Sequence, residues 1–526
     1  MRITIRGFLA TGLLSFGLIG TAAAADGEAL LVENCAGCHS VEGSKQLTRI
    51  DAQRKTPEGW TMTLFRMDVV HDVKLSNADR RALVKHLSDT RGMAPSETAD
   101  FRYILERTPN VVESATNESI SGMCTRCHSL ARAGLQGRTE EEWLLLAHQH
   151  LGQWPTTEYQ AGGRDREWFK LAVELAPTLA REYPFETAAW TEWAAREKKS
   201  MAGTWRIAGA APNRGVFTGH MLVDETGADT YSVETVIDYA DGTKEIGTGG
   251  AIVYTGFEWR ARINVEGVSM SQVLAASEDG DAMAGRMFRT TADELGFHVN
   301  AIREADGISE VLAVSPTHLR AGSSAEVTIS GTGLSGDVSL GEGIGIEAVL
   351  SATLSRIKVK AIAIEDTQVG PRAVRVGSTE NEVSLTVYKK VDSVRIEPPF
   401  AIARVGGGST PRVQATFEAV AYANGADGQP GTDDDIRIGA MPAVWSVKAF
   451  DEVAQAMEDV KFAGIMDARS GIFTPAMAGP NAARPFSTNN AGNLSVVAIV
   501  NDDGQTLTGE GQLVVTVQRW NDPPIR

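Results

Sequence analysis

Cysteine is scarce. The 526-residue chain has only four, too few for the dense disulfide framework that holds small secreted scaffolds together. Long apolar runs are also missing: beyond the N-terminus no stretch approaches the roughly 20 residues that a membrane-spanning helix needs. Basic residues are outnumbered, 50 Lys and Arg against 67 Asp and Glu for a net charge of -17. That excludes nucleic acid and anionic membrane as expected partners, since both need a basic surface. In the β-rich half, after about residue 200, no Walker loop, dinucleotide fingerprint or nucleophile–base pair stands out. The glycine-rich stretches "GTGGA" (247–251) and "LGEGIGIEA" are better explained by β-turns than by phosphate binding.

What the chain does have begins at its first residues. In "MRITIRGFLATGLLSFGLIGTAAAADGEA", Arg2 and Arg6 precede an apolar run from Phe8 to Ile19 and small residues around Ala23 and Ala25. This is the order of a secretory signal peptide over residues 1–25, with a mature chain starting near Asp26. The expected compartment is the periplasm.

All four cysteines fall in two copies of one pattern, Cys35, Cys38 and His39 in "CAGCH" and Cys124, Cys127 and His128 in "CTRCH". Four cysteines could form two disulfides, two zinc half-sites, two redox dithiols or four thioether attachment points. The trailing histidines decide between them. A redox dithiol needs no adjacent His, and a zinc site wants two further ligands at ribbon-like spacing. C-x-x-C-H is instead the attachment signature of c-type haem, in which both sulfurs bond the porphyrin edge and the His becomes the proximal iron ligand. Two copies imply two haems, attached outside the cytoplasm, in agreement with the export signal.

Residues 26–200 have helical periodicity, as in "NADRRALVKHLSDT" and "REWFKLAVELAPTLAREY". After "MAGTWRIAG" the texture becomes alternating and β-branched, with Gly-rich turns. Three β regions follow, 201–306, 307–391 and 392–526. Asp241-Gly242 marks a hairpin in the first, and short, regularly spaced strands suggest a sandwich in the second. The acidic stretch "NGADGQPGTDDDIRIG" gathers Asn424, Asp427, Asp433, Asp434 and Asp435. Calcium is conceivable there, but the stretch lacks EF-hand spacing and the closing Glu, which favours a solvated acidic turn.

The helical half also repeats internally. "TPEGWTMTLFRM" (56–67) aligns without gaps on "TEEEWLLLAHQH" (139–150), matching Thr56 with Thr139, Glu58 with Glu141 and Trp60 with Trp143. Met67 then falls on His150. Met and His are the two common sixth ligands of c-type haem, so this register assigns His39 and Met67 to one iron and His128 and His150 to the other, each in its own helical lobe. Met62 and Met93 are the fallbacks for Met67, whose bland alternative is a core methionine. His148 is the rival of His150, while His71 and His86 read as surface or core residues. Met ligation raises a haem potential relative to bis-His, so other things equal electrons run from the second haem to the first.

These motifs, together with "RKTPEGWTMTLFRM", "LSDTRGMAPSE", "RYILERTPN" and "HLGQWPTTEYQAGGRDREW", resemble the alpha subunit of quinohemoprotein amine dehydrogenase across essentially the whole mature chain. The resemblance implies a multidomain protein: an N-terminal all-α di-haem cytochrome c domain, then three all-β domains, one a β-barrel and two immunoglobulin-like sandwiches. It further implies a periplasmic heterotrimer with a β-propeller subunit and a small subunit that carries cysteine tryptophylquinone. Primary amines would be oxidised there to aldehyde and ammonia. Under it Cys35, Cys38, Cys124 and Cys127 are thioether attachments, and His39, Met67, His128 and His150 are axial ligands. Electrons would leave to a soluble copper protein or cytochrome c. A di-haem peroxidase, which needs an open iron position, and a stand-alone di-haem carrier are the competing readings.

Overall fold

The computed structural model describes residues 27–41, 46–114, 117–153, 157, 167–379, 383–408 and 410–517. The expected signal peptide, and part of the stretch following His150, lie outside these residues. Among the described residues no helix is long and apolar enough to cross a membrane.

The helical region is two lobes built on one plan. In the first lobe α1 (Gly27–His39), α2 (Pro57–His71) and α3 (Asn77–Thr90) enclose a core of Leu31, Trp60, Leu64, Leu83 and Leu87. In the second, α4 (Glu118–Cys124), α5 (Glu140–Gln153), α6 (Trp168–Glu174) and α7 (Ala176–Glu182) enclose Ile120, Leu130, Trp143, Ala176 and Leu179. The internal repeat is visible in hydrogen bonds. Thr56 opens α2 by accepting from Gly59 N at 3.3 Å, and Thr139 opens α5 by accepting from Glu142 N at 3.3 Å, the side-chain cap that satisfies an otherwise orphaned N–H. Trp60 Nε1 donates to Arg91 O at 3.0 Å, and Trp143 Nε1 to Tyr183 O at 3.2 Å. Arg91 and Tyr183 each cap the C-terminus of the last helix of their lobe.

The lobes meet through a two-stranded antiparallel ribbon, β1 (Gln53–Lys55) with β2 (Gln136–Arg138). In the repeat register Gln53 corresponds to Gln136, Arg54 to Gly137 and Lys55 to Arg138. The ladder pairs Gln53 with Arg138, Arg54 with Gly137 and Lys55 with Gln136, so the pairing maps onto itself when the copies are exchanged. A local two-fold axis therefore passes through the Arg54·Gly137 pair. The axis breaks down only in side chains: a Cβ at Gly137 would lie 2.4 Å from Pro184 O and 3.1 Å from Arg54 Nη2. Arg54 takes the shared space, buried and bound to both Glu97 oxygens at 2.8 Å.

An eight-stranded closed barrel follows, β3 (Gly203–Ala211) through β10 (Ala292–Arg303). Consecutive strands are antiparallel neighbours, and β10 closes on β3. The Asp241-Gly242 turn joins β5 (Thr230–Tyr239) to β6 (Lys244–Tyr254) as the sequence predicts, with Gly242 at φ 84°. A barrel of this size is filled by its own side chains. Here Trp205, Met221, Trp259 and Leu274 do so, and Gln272 satisfies the Trp259 indole at 3.1 Å. The end of the helical region, α8 (Ala188–Ala195), plugs the barrel: Trp193 joins its core and donates to Thr255 O at 2.8 Å.

The remaining chain forms two further β units. β11 (Glu310–Ser315) to β19 (Ser384–Tyr388) make a four-stranded sheet, a three-stranded sheet and a two-stranded pair around Val327, Ile329, Val359 and Leu385. β20 to β29 (393–516) surround Phe417, Trp445, Phe473 and Leu494. The acidic stretch sits in the second unit, where three of its carboxylates accept hydrogen bonds from the loop itself. Asp427 accepts from Gln429 N, Asp434 from Asp427 N, and Asp435 from Gly431 N and from Arg395. Among the described residues no group of three His, Cys, Asp or Glu is placed to hold a metal ion.

Candidate haem sites in the helical lobes

The two C-x-x-C-H motifs occupy the ends of the first helix of each lobe, with different local geometry. Cys35, Cys38 and His39 all lie on the last turn of α1, where spacing of three puts both sulfurs on one helix face. In the second motif the helix ends at Cys124, and Cys127 and His128 lie in the turn beyond. All four thiols are unbridged. Cys35 packs against the first core and Cys124 against the second, while Cys38 and Cys127 face solvent. Burial pushes the Cys124 thiol up to about 11, which makes it a poor thiolate nucleophile.

Each candidate histidine is oriented through Nδ1. His39 Nδ1 lies 2.9 Å from Thr48 O, His128 Nδ1 2.9 Å from Ser129 O and His150 Nδ1 2.8 Å from Leu146 O. A backbone carbonyl accepts only from N–H, so each bond places the proton on Nδ1 and turns Nε2 into the metal-binding nitrogen. The His128 and His150 rings face one another with centroids 6.3 Å apart and planes at 37°. A metal held by both rings at about 2 Å a side would need centroids about 6 Å apart, and the observed separation is of that size. His150 is held below its ordinary range by burial and by the charges of Arg66, Arg138 and Arg132, which outweigh the bond to Leu146 O. Its rival His148 is exposed and stacks edge-on against Phe169 at 5.0 Å.

Met67 and His150 sit at equivalent ends of equivalent stripes. Along α2, Trp60 and Leu64 are buried and Met67 half-buried; along α5, Trp143 and Ala147 are buried and His150 half-buried. The spacing of four and then three residues keeps each set on one helix face. Of the fallbacks, Met93 is buried. Met62 lines a cavity in the second lobe rather than the first. His71 ends α2 exposed, and His86 lies 3.1 Å from Glu28.

That cavity, of about 1770 Å³, brings together Cys124, Cys127, His128 and His150. It is not walled by the second lobe alone. Thr56, Gly59 and Met62 of the first lobe line it, as do Ile402 and Val413 of the last β unit. The sequence reading also passed over a group of basic residues on its wall. Lys55 and Arg138 are 3% and 2% exposed, and Arg66 lies beside them. Burial pushes the Lys55 ammonium well below its ordinary range, and the charges of Arg138 and Arg66 push the same way against Glu142. One signal for them was present: carrying the internal alignment one residue toward the N-terminus matches Lys55 with Arg138.

The fit of the residues to haem is therefore a paired thiol edge, two facing imidazoles and a spacious, basic cavity. Comparison with known proteins points the same way. Residues 25–190 match the family described as quinohemoprotein amine dehydrogenase A, alpha subunit, haem binding. Residues 198–304, 308–389 and 394–525 match domains II, III and IV of that same alpha subunit. No curated protein matches the chain. Among solved structures, the redesigned β-barrel mFAP1 bound to DFHBI is 12% identical over 20% of this chain and 94% of its own, with a TM-score of 0.18. The SGBP-B protein of the Bacteroides ovatus mixed-linkage glucan utilization locus is 10% identical over 60% of each chain, with a TM-score of 0.16. Likenesses this weak bear on neither fold nor function. The four consecutive family matches cover nearly the whole chain, which belongs to the quinohemoprotein amine dehydrogenase alpha subunits.

Proposed function

We propose that this chain is the electron-transfer subunit of a periplasmic amine dehydrogenase, holding two covalent c-type haems, one per helical lobe. The observation that carries the reading is the facing pair His128 and His150 beside Cys124 and Cys127, repeated in sequence by His39 and Met67 beside Cys35 and Cys38. When bound, each haem supplies one-electron storage at its iron. The chain's own residues hold and tune it. Cys35, Cys38, Cys124 and Cys127 would hold the porphyrin edges, the backbone carbonyls of Thr48, Ser129 and Leu146 aim the imidazoles, and the lobe cores would exclude water. The 6.3 Å ring separation would let His128 and His150 both hold the second haem, which favours an electron carrier over a peroxidase with an open position.

Amine oxidation itself belongs to a partner in this reading, a small subunit carrying cysteine tryptophylquinone, with a β-propeller subunit completing a heterotrimer. All four cysteines here are committed to haem. The last two β units are read as immunoglobulin-like and as docking surface for these subunits. The edge strand β15 (Ile344–Ala352), paired on one side only with β16 (Arg356–Ala363), supports this by leaving Val349 and Leu350 exposed. Electrons then leave to a soluble copper protein or cytochrome c.

The test is a pull-down of the tagged chain from its own periplasm, with haem and quinocofactor staining of the eluate. Two haem equivalents on the chain and a small redox-cycling polypeptide are expected. A chain recovered alone, with peroxide turnover, would replace this reading with the peroxidase.

A further inference from the structure

The basic wall of this cavity around His128 and His150 has no role in attaching haem or ligating iron, yet it is costly. Buried cations are normally paired with carboxylates. Glu142 is the nearby acid, and it is taken by Arg49 at 3.0 Å and Arg138 at 3.3 Å. Lys55 Nζ has only the Thr63 hydroxyl, at 2.7 Å, and the face of Trp60. Arg66 Nη2 reaches the same hydroxyl at 3.3 Å, while its buried Nε has no partner. The other carboxylates that line the cavity are engaged elsewhere: Glu113 accepts from Tyr103, Ser129 and the N–H groups of Leu130 and Ala131, Glu294 accepts from Gln414 N at 2.7 Å, and Asp293 lies 3.9 Å from Arg107. Two cations, one nearly sealed from water, thus face a cavity in a chain whose overall charge is -17.

A c-type haem meets that requirement chemically. Its thioether edge is fixed by Cys124 and Cys127, so its two propionate carboxylates project from the opposite edge. We propose that Lys55 and Arg66, both from the first lobe, bind a propionate of the haem held by the second lobe. This rests on the haem reading above. A carboxylate between Lys55 Nζ and Arg66 Nε supplies the missing anion to both, with Thr63 holding the two cations in register. It also ties the lobes functionally, because α2 carries the sixth-ligand candidate of one haem, Met67, next to Arg66, which with Lys55 of β1 clamps the other.

The experiment uses the full chain purified with its partner subunits, comparing wild type with Lys55→Met and Lys55→Arg. Haem content is measured first: absence of haem at Cys124 and Cys127 in the wild type sinks the haem reading itself. With both haems present, midpoint potentials are followed by the EPR signal of the bis-histidine iron. Lys55→Met should lower that haem's potential by a roughly tenfold change in equilibrium, about 59 mV for a one-electron couple, because the oxidised haem gains stability when a neighbouring positive charge is removed. Lys55→Arg should restore it, and the first haem should not move. Unchanged potentials, or equal shifts in both haems, overturn the proposal.

If Lys55→Met does not assemble, redox-difference infrared spectra of the wild type with 13C-labelled propionates decide the matter. Ionised carboxylate bands across about pH 5 to 8 are expected, since a clamped carboxylate stays charged at and below the ordinary range. A propionate that titrates within that span contradicts the clamp. So does a wild-type potential that follows added phosphate, which would assign the cations to a soluble anion.

Discussion

At the scale of single residues, one hydrogen-bonding habit unites the candidate ligands: Nδ1 of His39, His128 and His150 meets a backbone carbonyl, leaving Nε2 for iron. His150→Ala should therefore open the second iron and convert its optical spectrum from low-spin to high-spin. His148→Ala should leave the spectrum unchanged, because that ring packs on Phe169. The reverse pattern would reassign the sixth ligand. A separate test concerns acid stability. Burial pushes the Glu97 carboxyl up, but hydrogen bonds from Arg54 and the Ala94 N–H outweigh it and hold it below the ordinary carboxylate range. A depressed carboxylate stabilises the fold above its unfolded value of about 4.3 and loses that contribution as pH falls through the folded value. Wild-type unfolding midpoints should thus be flat above about pH 5 and fall below about pH 4. Glu97→Gln should cost about 3 kcal/mol at neutral pH, by stranding the Arg54 charge, and should flatten the acid fall. Loss of less than about 1 kcal/mol in chemical denaturation would show the pair to be dispensable.

Among elements, much was legible because a repeated motif reports on itself. The Thr56/Thr139 and Trp60/Trp143 matches predicted equivalent helices, and the structure gives them equivalent caps and equivalent indole hydrogen bonds. Thr56→Ala and Thr139→Ala should each cost about 1 kcal/mol in thermal or denaturant unfolding; a large difference between them would mean the two lobes do not share this start. The β1–β2 ribbon was not legible, because two three-residue strands carry too little alternation to distinguish them from loop. Nor was the meaning of Gly137, which depends on Pro184 and Arg54 far away in sequence. Gly137→Val should destabilise the chain by well over 1 kcal/mol, since the new Cβ has no room beside Pro184 O. Normal stability would show that the local two-fold tolerates side chains on both copies.

For the whole molecule, the sequence announced helices followed by β units through a change of texture near residue 200, but not how they dock. That information lies in pairs distant along the chain. Glu58 of α2 meets Arg260 of the barrel at 2.6 Å, Arg260 meets Glu258 at 2.8 Å, and Glu258 meets Arg102 at 2.9 Å. The repeat partner of Glu58, Glu141, is exposed, so this charge chain anchors the barrel to the first lobe. Arg260→Met leaves two carboxylates buried together. It should loosen that junction, seen as faster hydrogen exchange along β7 (Glu258–Val265) and α2 while the last β units keep their protection. Uniform exchange would place the anchor elsewhere. The extent of the cavity around His128 and His150 was equally hidden, because its walls come from both lobes and the last β unit, and no local pattern joins them.

The central claim is that electrons from amine oxidation enter this chain and rest on its two haems. It is tested most directly by anaerobic titration of the purified complex with a primary amine, with the haem absorption followed. The account predicts that amine alone reduces two haem equivalents per chain, and that a chain stripped of its partners shows no such reduction. Haems that stay oxidised under excess amine in the intact complex would contradict it.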